Sequence, residues 1–197
     1  IGAVPFFAAD LGVPLYATPF TAALIKGKLD EQGIANEVDL NIVPMEGQIN
    51  LGPFDIRFVP LAHSILEMSA LVIDTPYGKV FHTGDWKLDE TPVIGKPASA
   101  EQLTAIGDEG ILAMVCDSTN VFNDKASGSE ASVHSDLLKH VTEARGRVVV
   151  TTFASNSARL QTLADVAREA GRKLCFAGRS LHKIVEASQA TGYLKNL

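Results

Sequence analysis

At 197 residues, 46% of them apolar, the chain is long enough to bury a sizeable core in one large or two small domains. A net charge of −6 argues against a broad basic footprint for nucleic acid or anionic lipid, and leaves open only a local basic groove. No apolar run approaches the roughly 20 residues that cross a bilayer, and no basic, signal-like segment opens the chain, so neither a membrane nor an export route is expected.

The opening "IGAVPFFAADLG" begins without Met, which suggests a piece of a longer protein. Ala3, Phe6, Phe7 and Leu11 carry helical apolar spacing, so residues 1–12 read as a short helix. "VPLYA" reads as a buried strand. Thr18 as N-cap and Pro19 at the first position then start a helix that runs to Gly33. "EVDLNIVP" and "QINLGPFDIRFVPLA" are strand-like. In the second, Phe54, Ile56 and Phe58 fall on one face and Asp55 and Arg57 on the other, the alternation of a half-exposed antiparallel sheet. "SALVIDTP" and "GKVFHTG" predict a hairpin around Thr75-Pro76-Tyr77-Gly78. A helix near 100–108 and the strand "ILAMVC" follow.

The texture changes near Asp117. After the polar connector "NDKASGSE", the helices "EASVHSDLLKHVTEA", "SARLQTLADVAREA" and "SLHKIVEASQAT" alternate with the strand-like "RVVVTTF" and "KLCFAG". That spacing predicts βαβ units on a parallel sheet, and a domain boundary at about 121–127. Cys116 and Cys175 lie in apolar runs and read as buried, reduced thiols rather than a disulfide.

Chemistry concentrates where strands end. In "VFHTGDWKLD", Asp85 follows a strand and a glycine, where a carboxylate either projects into a cleft suited to a hard or borderline cation or caps its own turn. His63, just past "FVPLA", is by itself more often a satisfied core or surface histidine than a ligand. Together, His and Asp at the ends of two strands of one sheet form a partial ligand set for zinc or manganese. His82 lies within the strand and is set aside, because alternation points it away from Asp85. His134, His140 and His182 fall on helix patterns with no spacing partner. "CDSTN", with Ser118, is either a turn or a second wall of the same cleft. "TTFASNSARL" and "FAGRSLHK" each place a small or polar loop before a helix. Ser155, Asn156, Arg159, Arg179 and Ser180 are therefore candidates for holding phosphate, against the plainer role of N-capping by Ser155 or Ser180.

The run "HSILEMSALVIDTPYGKVFHTGDWKLD", followed in order by "MVCDSTNVF", "SGSE", "VVVTTFASNSARLQ" and "GRSLHKIVEASQATGYL", resembles the ribonuclease J family, metallo-β-lactamase-fold nucleases with an inserted β-CASP domain. The resemblance implies an α/β fold, with a metallo-β-lactamase αββα sandwich portion over 1–121 and the start of a parallel α/β β-CASP domain over 127–197. It implies a metal-dependent 5′-to-3′ exoribonuclease, often also an endoribonuclease, with RNA as partner, in the cytoplasm, with a homo-oligomer as a further expectation. Two divalent metal ions are implied, zinc with manganese or magnesium as alternatives. His63 matches the family's His ligand and Asp85 the aspartate bridging the metals, which makes both the catalytic and metal residues. The family's His-x-His-x-Asp-His stands immediately before Ile-Gly-Ala, where this sequence begins, so these residues alone are expected to lack useful metal affinity or activity. Leu66 stands where many members carry Pro. Two other readings remain: a related hydrolase of a small ester or thioester, and a non-catalytic α/β module binding phosphate groups or a protein.

Overall fold

The computed structural model describes residues 1–97, 99–125 and 128–194. Helix α1 (Val4–Leu11) ends at Gly12, whose left-handed φ of 58° suits a residue without a side chain. Strands β1 (Leu15–Ala17) and β2 (Leu40–Ile42) form a two-stranded parallel sheet, with α2 (Pro19–Gln32) as the crossover between them. Pro19 starts α2 and Gly33 ends it, as the sequence indicates. Thr18 occupies the N-cap position but its side chain makes no cap bond; the Phe20 N–H donates instead to the Glu67 carboxylate at 2.7 Å. Ala8, Ala17, Ala22, Ile25 and Leu29 close the core of this layer.

The second sheet has five strands in the order β3 (Gln48–Leu51), β4 (Phe54–Pro60), β5 (Ser69–Thr75), β6 (Gly78–His82) and β7 (Ile111–Val115). All neighbours are antiparallel except β6 and β7. The β5–β6 hairpin turns where expected. Thr75 Oγ1 donates to the Gly78 carbonyl at 2.8 Å and accepts the Tyr77 N–H at 3.1 Å, so the Thr side chain stabilises its own turn. Helix α3 (Ala100–Asp108), capped by Ser99, covers one face of the sheet. Val59, Leu61, Ala70, Val72, Phe81 and Ile106 pack there. The covered face of β4 is thus the one bearing Val59 and the Arg57 stem, while Phe54 on the alternate face is exposed and Ile56 and Phe58 are half-buried.

Beyond β7 come a 3₁₀ turn (Glu130–Val133) and helices α4 (His134–Glu143), α5 (Ser157–Glu169) and α6 (Arg179–Ala190). The parallel sheet expected here is not formed: among the described residues no strand follows Val115. The runs "RVVVTTF" and "KLCFAG" carry the β-branched composition of strands, but a ladder needs a neighbouring backbone. Neither run is assigned to a ladder, and Val149 and Phe153 are more than 80% exposed. Both cysteines are free, as expected, but exposed rather than buried, because Cys116 lies at the end of the edge strand β7 and Cys175 in the second unpaired run. A third cluster, Phe20, Leu66, Leu160, Ile184, Ala187 and Leu194, joins α2 and the loop after β4 to α5 and α6, so apolar packing crosses the 121–127 connector.

Candidate functional site

Strands β4, β6 and β7 run in one direction, since β5 is antiparallel to both β4 and β6 and β7 is parallel to β6. Their C-terminal ends therefore share one edge of the sheet. The chain leaving β4 meets the chain leaving β6 in an isolated antiparallel bridge, Ala62 opposite Lys87, with the Lys87 N–H donating to the Ala62 carbonyl at 3.1 Å. His63 is one residue from that bridge and Asp85 two, so both stand on this edge. His63 is half-buried, with Nδ1 3.3 Å from Ser64 Oγ, and Asp85 is exposed.

Buried Thr83 ties the edge to β7. Its N–H donates to the Val115 carbonyl at 2.9 Å, and its hydroxyl oxygen accepts the Asp117 N–H at 3.1 Å. Trp86 Nε1 donates to the Asp117 carbonyl at 3.3 Å. The Thr119 hydroxyl (2.5 Å) and N–H (2.9 Å) hold the Asp117 carboxyl below its ordinary range against the opposing effect of burial, and the His63 imidazole shifts it the same way. Asp117 thus joins His63 and Asp85 at the edge, the placement that "CDSTN" left open.

Gly84 takes a left-handed φ of 60°, and a Cβ there would run into Met68 Cε. The strand therefore ends at His82, and alternation does not carry past Gly84 to Asp85. His82 is exposed, and its Nδ1 accepts the Gly84 N–H at 3.1 Å. Its role is to hold the turn rather than to pack. His134 pairs with Glu169 at 3.2 Å, while His140 and His182 are exposed on their helices.

Zinc takes about four ligands. Among the described residues, no three His, Cys, Asp or Glu side chains gather closely enough to hold an ion. The donors at this edge do not by themselves fit a complete zinc site.

The candidate phosphate residues divide. Asn156 is the N-cap of α5, its side chain accepting the Arg159 N–H at 2.8 Å, so the capping falls to Asn156 rather than Ser155. The other first amides of α5 are also used: Ser157 N–H bonds to the Ser155 carbonyl at 2.9 Å and Ala158 N–H to the Ser64 carbonyl at 3.1 Å. Arg159 is engaged by Glu130, Nη2 to Oε2 at 3.1 Å with a second contact from Nε. By contrast, α6 begins at Gly178 with no side-chain cap, and Arg179 and Ser180 are exposed there. Ser155 and Ser180 meet in a cleft of about 510 Å³ between α2 and α6, beside Ile65 and Lys183. Ser118 is exposed, and its carbonyl accepts the Val121 N–H at 3.0 Å. Sequence reasoning missed Glu130 and Glu67, which act on partners 29 and 47 residues away and carry no local pattern.

Residues 145–197 match the family model for the ribonuclease J beta-CASP domain. Over 95% of its length the chain is 40% identical to ribonuclease J of Sinorhizobium meliloti, covering 33% of that protein. It is 38% identical to ribonuclease J 1 of Streptococcus pyogenes over 99% of its length, covering 35% of that relative. The corresponding figures for ribonuclease J of Corynebacterium glutamicum are 42% identity, 99% and 27%. Along nearly its whole length the chain is therefore similar to ribonucleases J. It spans about a third of the length of the curated relatives it matches. A crystal structure of a protein of unknown function from Enterococcus faecalis shares the fold over 88% of this chain and 43% of its own, with a TM-score of 0.59 at 17% identity.

Proposed function

We propose that this chain belongs to the nuclease part of a metal-dependent ribonuclease that degrades RNA from its 5′ end, with endonucleolytic cleavage as a second mode, in the cytoplasm. The observation that carries the reading is the strand-end edge of β4, β6 and β7, occupied by His63, Asp85 and Asp117 in a chain similar to ribonucleases J along nearly its whole length. Two carboxylates at one edge would repel a phosphodiester unless cations intervene. The reading accordingly includes two divalent ions, zinc with manganese or magnesium as alternatives, in a metallo-β-lactamase-type site whose remaining donors lie outside the described edge. His63 and Asp85 would supply ligands to these ions, with Asp85 shared between them. The open start of α6 at Gly178–Ser180, with Arg179 and Ser155 nearby in sequence or across the cleft, suits the phosphates of the strand. The β-CASP portion over 127–197 is then the substrate-holding side and 1–121 the metal side. No helix among the described residues is long and apolar enough to cross a membrane.

Replacing Asp85 with Ala in the full-length protein should lower degradation of a 5′-monophosphorylated RNA by at least about 10²–10³, with bound metal falling alongside. Metal analysis and turnover measured on the same preparation decide the matter. Near-normal turnover with two ions bound would remove the bridging role from Asp85.

A further inference from the structure

The segment "GSE", Gly128 to Glu130, lies outside the edge, yet its groups reach both loops that build it. The Gly128 carbonyl accepts from Lys87 Nζ. Ser129 Oγ donates to the Thr91 carbonyl at 2.8 Å. Asp89, only 8% exposed, is pushed up by burial, but the Ser129 hydroxyl, the Thr91 N–H and Lys87 outweigh that and hold it ionised below its ordinary range. These contacts grip residues 87–91, directly after Asp85. The next residue, Glu130, pairs with Arg159 in the first turn of α5 through two nitrogens. That turn donates the Ala158 N–H to the carbonyl of Ser64, the neighbour of His63. Three consecutive residues thus connect the loop after Asp85 to the helix end that holds the loop after His63.

We propose that Glu130 is a positioning residue: with Arg159 it closes a clasp, Gly128 to Glu130, that fixes the His63 and Asp85 loops relative to each other. Fork-to-fork carboxylate–guanidinium contact defines orientation as well as distance, which a lone cation contact does not. Small displacements of reacting groups are costly, a misplacement of about 1 Å being worth up to roughly 10²-fold in rate. Arg159 is accordingly taken from the phosphate-binding set and given to this clasp.

The inference rests on the ribonuclease reading for its kinetic arm and stands apart from it in its structural arm. In the full-length protein, Glu130→Gln and Arg159→Met should each lower kcat by about ten- to a hundred-fold with KM for the RNA near wild type. Amide exchange should quicken in peptides containing Ala158 and in those covering residues 87–91. The paired swap Glu130→Arg with Arg159→Glu should recover most of both effects, which separates lost positioning from general misfolding. Unchanged exchange in the single variants overturns the proposal. So does an Arg159→Met variant with raised KM and normal kcat, since that is the signature of a phosphate contact. If the wild-type protein degrades no RNA, the ribonuclease reading fails, and the exchange measurements alone decide the clasp.

Discussion

At the scale of single residues, the turn after β6 shows what a sequence pattern does and does not reveal. His63 and Asp85 were legible because each follows a strand-like run, and strand ends of one sheet converge. Asp117 was visible only as part of a polar cluster, since its place beside them depends on β7 lying parallel to β6. The reasoning that set His82 aside assumed alternation through to Asp85, but Gly84 at φ 60° breaks the period. What distinguishes His82 is its bond to the Gly84 N–H. His82→Ala should therefore cost about 1 kcal/mol, the worth of one exposed hydrogen bond holding a turn, and lower RNA turnover only modestly, with metal content retained. Thermal unfolding and metal analysis on the full-length protein check this. A His82→Ala protein that loses its metal and its activity while remaining folded would make His82 the ligand in place of Asp85.

At the scale of elements, the helices were legible and two strands were not, for one physical reason. A helix satisfies its backbone within its own segment, so spacing and terminal residues suffice to place it. The α5 pattern and its polar start were readable, and the structure moves only the cap, from Ser155 to Asn156. A strand is completed by another segment, so "RVVVTTF" and "KLCFAG" show strand composition without forming strands. The Glu67 carboxylate at the start of α2 was equally invisible, because that bond comes from 47 residues away. Local capping has a definite size. Asn156→Ala should cost about 1 kcal/mol of stability, and Asn156→Asp, which keeps an acceptor for the Arg159 N–H, much less. Chemical denaturation of the three proteins tests the order. Equal stability of the Ala and Asp variants would mean that the Ser64–Ala158 bond and the Glu130–Arg159 pair hold the helix start without its cap.

At the scale of the whole molecule, the change of pattern near 121–127 is where a domain boundary is proposed, but the packing does not stop there. Phe20 is fully buried and Leu66 is 2% exposed, and both contact a cluster completed by Leu160, Ile184 and Ala187 from beyond the connector. Leu66, where many family members carry Pro, puts its side chain into this cluster, so the loop after His63 is anchored by apolar burial as well as by hydrogen bonds. Shared burial means shared stability: removing apolar volume on one side should loosen both. Phe20→Ala removes a fully buried ring, and such truncations cost about 3–5 kcal/mol. The expected outcome in the full-length protein is faster amide exchange in α2 and, to a comparable degree, in α5 and α6. Exchange in α4 should change little, because its buried Val141 lies outside that cluster. If α2 loosens while α5 and α6 keep their protection, the two portions are independent folding units and the cluster is only a contact between them. If all three loosen together, the edge that carries His63 is held by residues on both sides of the connector, and changes in the β-CASP portion reach the candidate metal site through the core.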